Sequence, residues 1–184
     1  MTFTGETATK TYTGSEIELT GITKSSGENE GLVSGHTDNV TYSAKGKEVG
    51  EYPGTITEKT AVVIKDAADK DVTANYDITT TPGTLTITAT DDEYEIIVTG
   101  NSDTKVYNAE EQSVSGYTVS EYDETITFTG IAQDDAKATA KGTNVGTYTM
   151  TMSESDFTAT SENYTNIKIT VVPGTLKITP DEEE

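Results

Sequence analysis

The chain has 184 residues, a formal net charge of −20 and no cysteine. Its 12 basic residues, all lysine, form no stripe that could release counterions from phosphates, so nucleic acid and anionic membranes would be repelled, and no disulfide can form. Thr fills 38 positions and apolar residues only 32%. β-Branched Thr suits a pleated, half-buried surface, which predicts an all-β chain of small modules with thin cores and very little helix.

In chain order, the sequence is written twice. Phe3-Thr4-Gly5 returns as Val98-Thr99-Gly100, and Thr9-Lys10-Thr11-Tyr12 as Thr104-Lys105-Val106-Tyr107. Ile17 and Leu19 alternate with Glu16, Glu18 and Thr20, a strand with one apolar face. Val40 and Tyr42 alternate likewise and align with Ala136 and Ala138. Ala44-Lys45-Gly46 through Val49-Gly50 matches Ala140-Lys141-Gly142 through Val145-Gly146, a tight connection in which Gly can supply positive φ. Tyr52, Gly54 and Ile56 should then point one way, as should Tyr148, Met150 and Met152.

The copies diverge before Asn75-Tyr76, which returns as Asn163-Tyr164. The first carries about eight extra residues there, including Ala61-Val62-Val63-Ile64-Lys65-Asp66, read as an added edge strand; the second has Ser155-Asp156-Phe157-Thr158, read as one helical turn. Pro82-Gly83-Thr84-Leu85-Thr86-Ile87-Thr88 returns as Pro173-Gly174-Thr175-Leu176-Lys177-Ile178-Thr179. Thr81-Pro82-Gly83 is predicted to turn a hairpin, with Leu85 and Ile87 inward on the returning strand. These anchors lie 88 to 96 residues apart, the size of a small domain. The predicted modules are therefore 1–90 and 91–184, joined by a short acidic linker near Thr88 to Glu93. Thr179-Pro180-Asp181 parallels that joint as though a third copy follows, so a fragment of a longer array is expected.

Lys-x-Tyr, Val-Gly-x-Tyr, Asp71-Val72-Thr73-Ala74-Asn75-Tyr76-Asp77-Ile78 and the closing Pro-Gly-Thr-Leu-Thr-Ile together resemble the MBG-type tandem repeats of bacterial surface proteins. Such repeats occur mainly in large adhesin-like proteins of Gram-positive gut bacteria. The resemblance implies an extracellular, cell-surface, non-enzymatic all-β module and supplies no catalytic residues. The second copy departs from it, with Thr160-Ser161-Glu162 before Asn163. We expect two tandem Ig-like β-sandwich modules set end to end; Mub-like β-grasp modules are the alternative, which a recurrent helix on the sheet would favour.

No constellation points to catalysis or to a cofactor. The single histidine, His36, lies in turn-like Ser34-Gly35-His36-Thr37-Asp38 and has no counterpart in the second copy. Calcium has two weak candidates: Asp66, Asp69, Asp71 and Asp77, and Asp91-Asp92-Glu93 at the joint; neither has the EF-hand spacing. A covalent staple between Lys and Asn beside an acid could use Lys10, Glu16 and Asn75, or Lys105, Glu111 and Asn163, which the bland alternative leaves as exposed turn and strand residues. Tyr12, Tyr52, Tyr76, Tyr107, Tyr148 and Tyr164 recur in register and are expected in the core, leaving Tyr94, Tyr117 and Tyr122 for any glycan platform. Outward Thr84, Thr86 and Thr88 could suit ice or mineral, but Lys177 replaces Thr86 in the second copy. The expected function is a monomeric stalk segment of a surface adhesin, in contact with neighbouring repeats. The alternative is a module that binds host mucin or glycan. No membrane-inserting run is legible in these residues.

Overall fold

The computed structural model describes residues 1–182. The chain divides into two compact units, Met1–Thr90 and a second that begins at Asp91. Module 1 contains β1 (Thr2–Gly5), β2 (Ala8–Thr11), β3 (Ile17–Leu19), β4 (Ile22–Lys24), β5 (Thr37–Asp38), β6 (Tyr42–Gly46), β7 (Gly50–Pro53), β8 (Thr55–Ile56), β9 (Ile64–Lys65), β10 (Thr79–Thr81) and β11 (Thr84–Thr88). Module 2 contains β12 (Tyr94–Gly100), β13 (Asp103–Val106), β14 (Gln112–Ser115), β15 (Tyr117–Val119), β16 (Thr127–Gly130), β17 (Thr139–Gly142), β18 (Gly146–Thr149), β19 (Phe157–Thr160), β20 (Ile167–Val172) and β21 (Thr175–Thr179). Both are all-β, and their helical content among the described residues is limited to single 3-10 turns.

In each module the opening strands pair in parallel with the closing ones. β1 pairs with β10 from Thr2–Thr79 to Thr4–Thr81, and β2 with β11 from Ala8–Leu85 to Thr11–Thr88. Partners are 77 positions apart in both stretches, so the register runs through the break between them. Module 2 repeats this, with 73 positions separating Tyr94 from Ile167 and Val106 from Thr179.

This pairing corrects the predicted hairpin. Pro82-Gly83 does not reverse the chain: β10 and β11 run on in one direction, and the chain passes from the sheet β10-β1-β4 to the sheet β2-β11-β7. Neither Gly83 nor Gly174 has positive φ. They are glycines because a Cβ on Gly83 would fall on the Glu6 carbonyl oxygen, and one on Gly174 on that of Asn101. Proline suits the same spot because it has no N–H to leave unbonded where the ladder is interrupted.

β11 and β21 are the central strands of β2-β11-β7 and β13-β21-β18. Their alternation buries Leu85, Ile87, Leu176 and Ile178 almost completely, as the period-two pattern predicts. The other sheets are β3-β6-β8 and β5-β9 in module 1, and β15-β12-β20, β14-β17 and β16-β19 in module 2. The added segment of module 1 forms a strand only at Ile64–Lys65, shorter than predicted, and Val62 is buried outside any strand. In module 2 the predicted single turn is the 3-10 segment Glu154–Asp156, where the Ser153 N–H donates to the Asp156 carboxylate at 2.8 Å.

The cores solve one packing problem in two ways. A Cβ on Gly54 would strike the ring of Tyr42, and a Cβ on Gly5 would meet the same ring at 2.5 Å. In module 2 the residues aligned with Tyr42 and Gly54 are Ala138 and Met150, and a Cβ on Gly100 would meet the Met150 sulfur at 2.7 Å. A large ring facing a glycine has been exchanged for an alanine facing a methionine, leaving the volume beside the crossover filled. Elsewhere the copies agree: the Tyr52 ring lies over Gly46 and the Tyr148 ring over Gly142, with hydroxyls donating to the Glu48 and Asn144 carbonyls at 2.8 and 2.9 Å.

Candidate functional site

Three of the carboxylates considered for calcium, Asp66, Asp69 and Asp71, are engaged within their own turn, while Asp77 lies 3.7 Å from Lys59. Asp66 accepts the N–H groups of Ala68 and Lys70 at 2.9 and 3.0 Å, and Asp69 pairs with Lys65 at 2.9 Å. Asp71 accepts the Thr73 hydroxyl at 2.6 Å and the Thr73 N–H at 2.9 Å. Those bonds, with Lys65 nearby, hold its carboxyl below the usual range. Among the described residues, no three His, Cys, Asp or Glu side chains converge as a metal site, at the joint or elsewhere.

The staple residues are likewise kept apart in module 2. Lys105 donates to the Ser113 carbonyl at 2.9 Å, while Glu111 lies 3.7 Å from Lys141. Asn163 is buried, its carboxamide donating to the Thr125 hydroxyl at 3.1 Å. In module 1 Lys10 lies on β2, Asn75 ends the 3-10 turn Thr73–Asn75, and Lys10, Glu16 and Asn75 are all exposed.

The tyrosines sort differently from the prediction. Tyr12 is buried, Tyr52, Tyr76, Tyr148 and Tyr164 are half-buried, and Tyr107 is exposed despite recurring. Two of the unmatched rings are structural. Tyr94 packs 4.8 Å from Tyr164 and accepts the Asp123 N–H at 2.8 Å; Tyr117 donates to the Ile131 carbonyl at 2.5 Å and meets Phe157 edge-on. Tyr122 is exposed beside Phe128. Sequence reasoning did not count Tyr42, as buried as Tyr12, among the core tyrosines, because it has no aromatic counterpart in the second copy. Its hydroxyl donates to the Glu6 carbonyl at 2.7 Å, and burial, then the nearby Glu6 charge, push its pKa up.

His36 has a defined setting. Its Nδ1 lies 2.7 Å from the Tyr76 hydroxyl, which also accepts the Val33 N–H at 3.1 Å. These residues, with Asn29, Asn75 and Asp77, line a cleft of about 440 Å³; the Met1 amine at its edge donates to the Asp77 carbonyl at 2.8 Å. In module 2 the corresponding Tyr164 donates to Asp123 at 3.1 Å against Tyr94.

Residues 94–180 match the family model of the MBG domain. Module 2 is an MBG domain. The match opens on the first residue of β12 and closes just past β21, so the parallel pairing of first and last strands lies within the MBG domain itself. Module 1 repeats its sequence anchors and that pairing. The MBG domain is a repeat-type domain and not an enzyme family. No curated protein matches the chain.

Proposed function

We propose that this pair of modules is a non-enzymatic stalk segment of a cell-surface adhesin, held outside the cell, where it adds reach and resists pulling. The observation that supports this most is the in-register parallel pairing of first and last strands. Tension enters a module at the start of its first strand and leaves at the end of its last. In a parallel pair those points lie at opposite ends, so the strands are drawn past one another and the hydrogen bonds are loaded together. An antiparallel pair pulled from one end opens bond by bond. The acidic, Thr-rich surface keeps such a segment soluble, and reach grows with repeat number.

The chain has no cysteine, so engineered thiol handles would be unique. Handles at Glu93→Cys and Pro180→Cys load the β12/β20 and β13/β21 pairs in shear, whereas Glu93→Cys with Asn166→Cys opens the same ladder from one end. Single-molecule pulling should give a several-fold higher rupture force for the shear geometry, with an extension of roughly 300 Å for the unfolding module. Equal forces in the two geometries would overturn the load-bearing function.

A further inference from the structure

We propose that the cleft of module 1 between the 25–36 loop and the Thr73–Asn75 turn binds a neutral saccharide. The inference stands apart from the load-bearing function, which concerns the strand pairs.

The cleft has fixed walls. The loop is held at one end by the Ser25 hydroxyl, which donates to the Glu30 carbonyl at 2.6 Å, and at the other by the Val33 N–H on Tyr76. Asn29 sits at φ 70°, a left-handed conformation that asparagine tolerates better than most residues, and this sets the bend of the loop. The Tyr76 ring is tied to both Val33 and His36 through one hydroxyl. A site whose walls are already bonded loses little entropy when a ligand enters.

The lining has the mixed chemistry of a sugar. Val33 is 58% exposed and stands beside the Tyr76 ring, giving apolar surface for a C–H face. Around it lie the exposed carboxamides of Asn29 and Asn75, the carboxylate of Asp77 and His36. With Nδ1 engaged by Tyr76, the other ring nitrogen of His36 is left to exchange a hydrogen bond with a sugar hydroxyl. Donors and acceptors are thus both present; the Met1 ammonium in the lining is engaged by the Asp77 carbonyl, Lys59 stands 3.7 Å from the Asp77 carboxylate, and the chain carries −20 overall, so an uncharged sugar is favoured over a sialylated or sulfated one. The volume of about 440 Å³ is within the range of about 300–1,000 Å³ usual for small-ligand sites.

The test is titration of the isotopically labelled 184-residue chain with lactose, N-acetylglucosamine and 3′-sialyllactose, followed by amide chemical shifts. Saturable shifts with a neutral sugar at Asn29, Val33, His36 and Asn75 through Asp77 are expected. Asn75→Ala, a change at an exposed turn residue, should weaken binding about tenfold while leaving the remaining spectrum in place. His36→Gln serves as a second variant if Asn75→Ala disturbs the fold. Absence of saturable shifts with either neutral sugar, shifts centred in module 2, tighter binding of the sialylated sugar, or unchanged affinity in a folded variant would each overturn the proposal. None of these outcomes bears on the rupture forces, which are read in module 2.

Discussion

Tyr42→Ala and Gly54→Met, made singly and together, would transplant the packing of module 2 into module 1. Removing the Tyr42 ring, 5% exposed, leaves a core cavity and should cost about 3–5 kcal/mol, in line with other buried aromatic truncations. Gly54→Met alone drives a side chain into that ring and should cost about 1–3 kcal/mol. If the two positions were independent, the double variant would lose the sum of these. Because they share one volume, the methionine should instead occupy the space of the ring, and the double variant should be more stable than Tyr42→Ala alone, with a coupling of up to about 3 kcal/mol. Full recovery is not expected, because the Glu6 carbonyl loses its 2.7 Å donor, at about 1–3 kcal/mol. Urea unfolding followed through module 1 amide signals resolves these differences, and in a domain this small each kcal/mol also moves Tm by about 4–8 °C. Additive costs, with the double variant the least stable of the three, would refute the shared-volume argument.

Gly83→Ala and Gly174→Ala should each destabilise their module by about 1–3 kcal/mol or more, although neither glycine has positive φ. Gly14→Ala, at φ 80° with open space around it, should cost only about 1 kcal/mol by thermal melting. The Asp156 carboxyl is held below its usual range, first by its hydrogen bond from Lys137 and then by the Ser153 N–H. An Asp with a depressed folded pKa contributes stability above its unfolded value near about pH 4, and that contribution disappears as pH falls through the lower folded value. Asp156→Asn should therefore flatten the acid limb of module 2 stability, measured by urea midpoints from pH 5 downward. Intact mass should equal the sequence mass, since the structure keeps Lys105 and Asn163 on different partners; a deficit of one ammonia would contradict that placement.

The strands and their inward residues were legible because alternation fixes which face is buried: Leu85, Ile87, Leu176 and Ile178 needed nothing beyond period two. The repeat itself exposed the module boundaries of sequence similarity. What stayed hidden was non-local. Pro-Gly carries a turn signal in local chemistry, and nothing within Thr81-Pro82-Gly83 reveals that the Glu6 backbone presses on Gly83 from 77 positions away in register. The exchange of Tyr42 and Gly54 for Ala138 and Met150 was likewise invisible, since each pair straddles two strands and alignment compares positions one at a time. The cleft escaped because recurrence was taken to mean burial, whereas Tyr76 recurs and still forms a wall open to solvent.

Because β11 and β21 are central strands yet come last in their modules, neither repeat can close while it is being synthesised. β2 and β7 have no strand between them until residues 84–88 have left the ribosome, and β13 and β18 wait in the same way for residues 175–179. Contacts this distant in sequence belong to the slow end of folding, in milliseconds to seconds, and expose strand edges meanwhile. A nascent repeat rich in threonine and strongly acidic repels its neighbours through that interval, which gives the surplus of carboxylates a use before the fold exists.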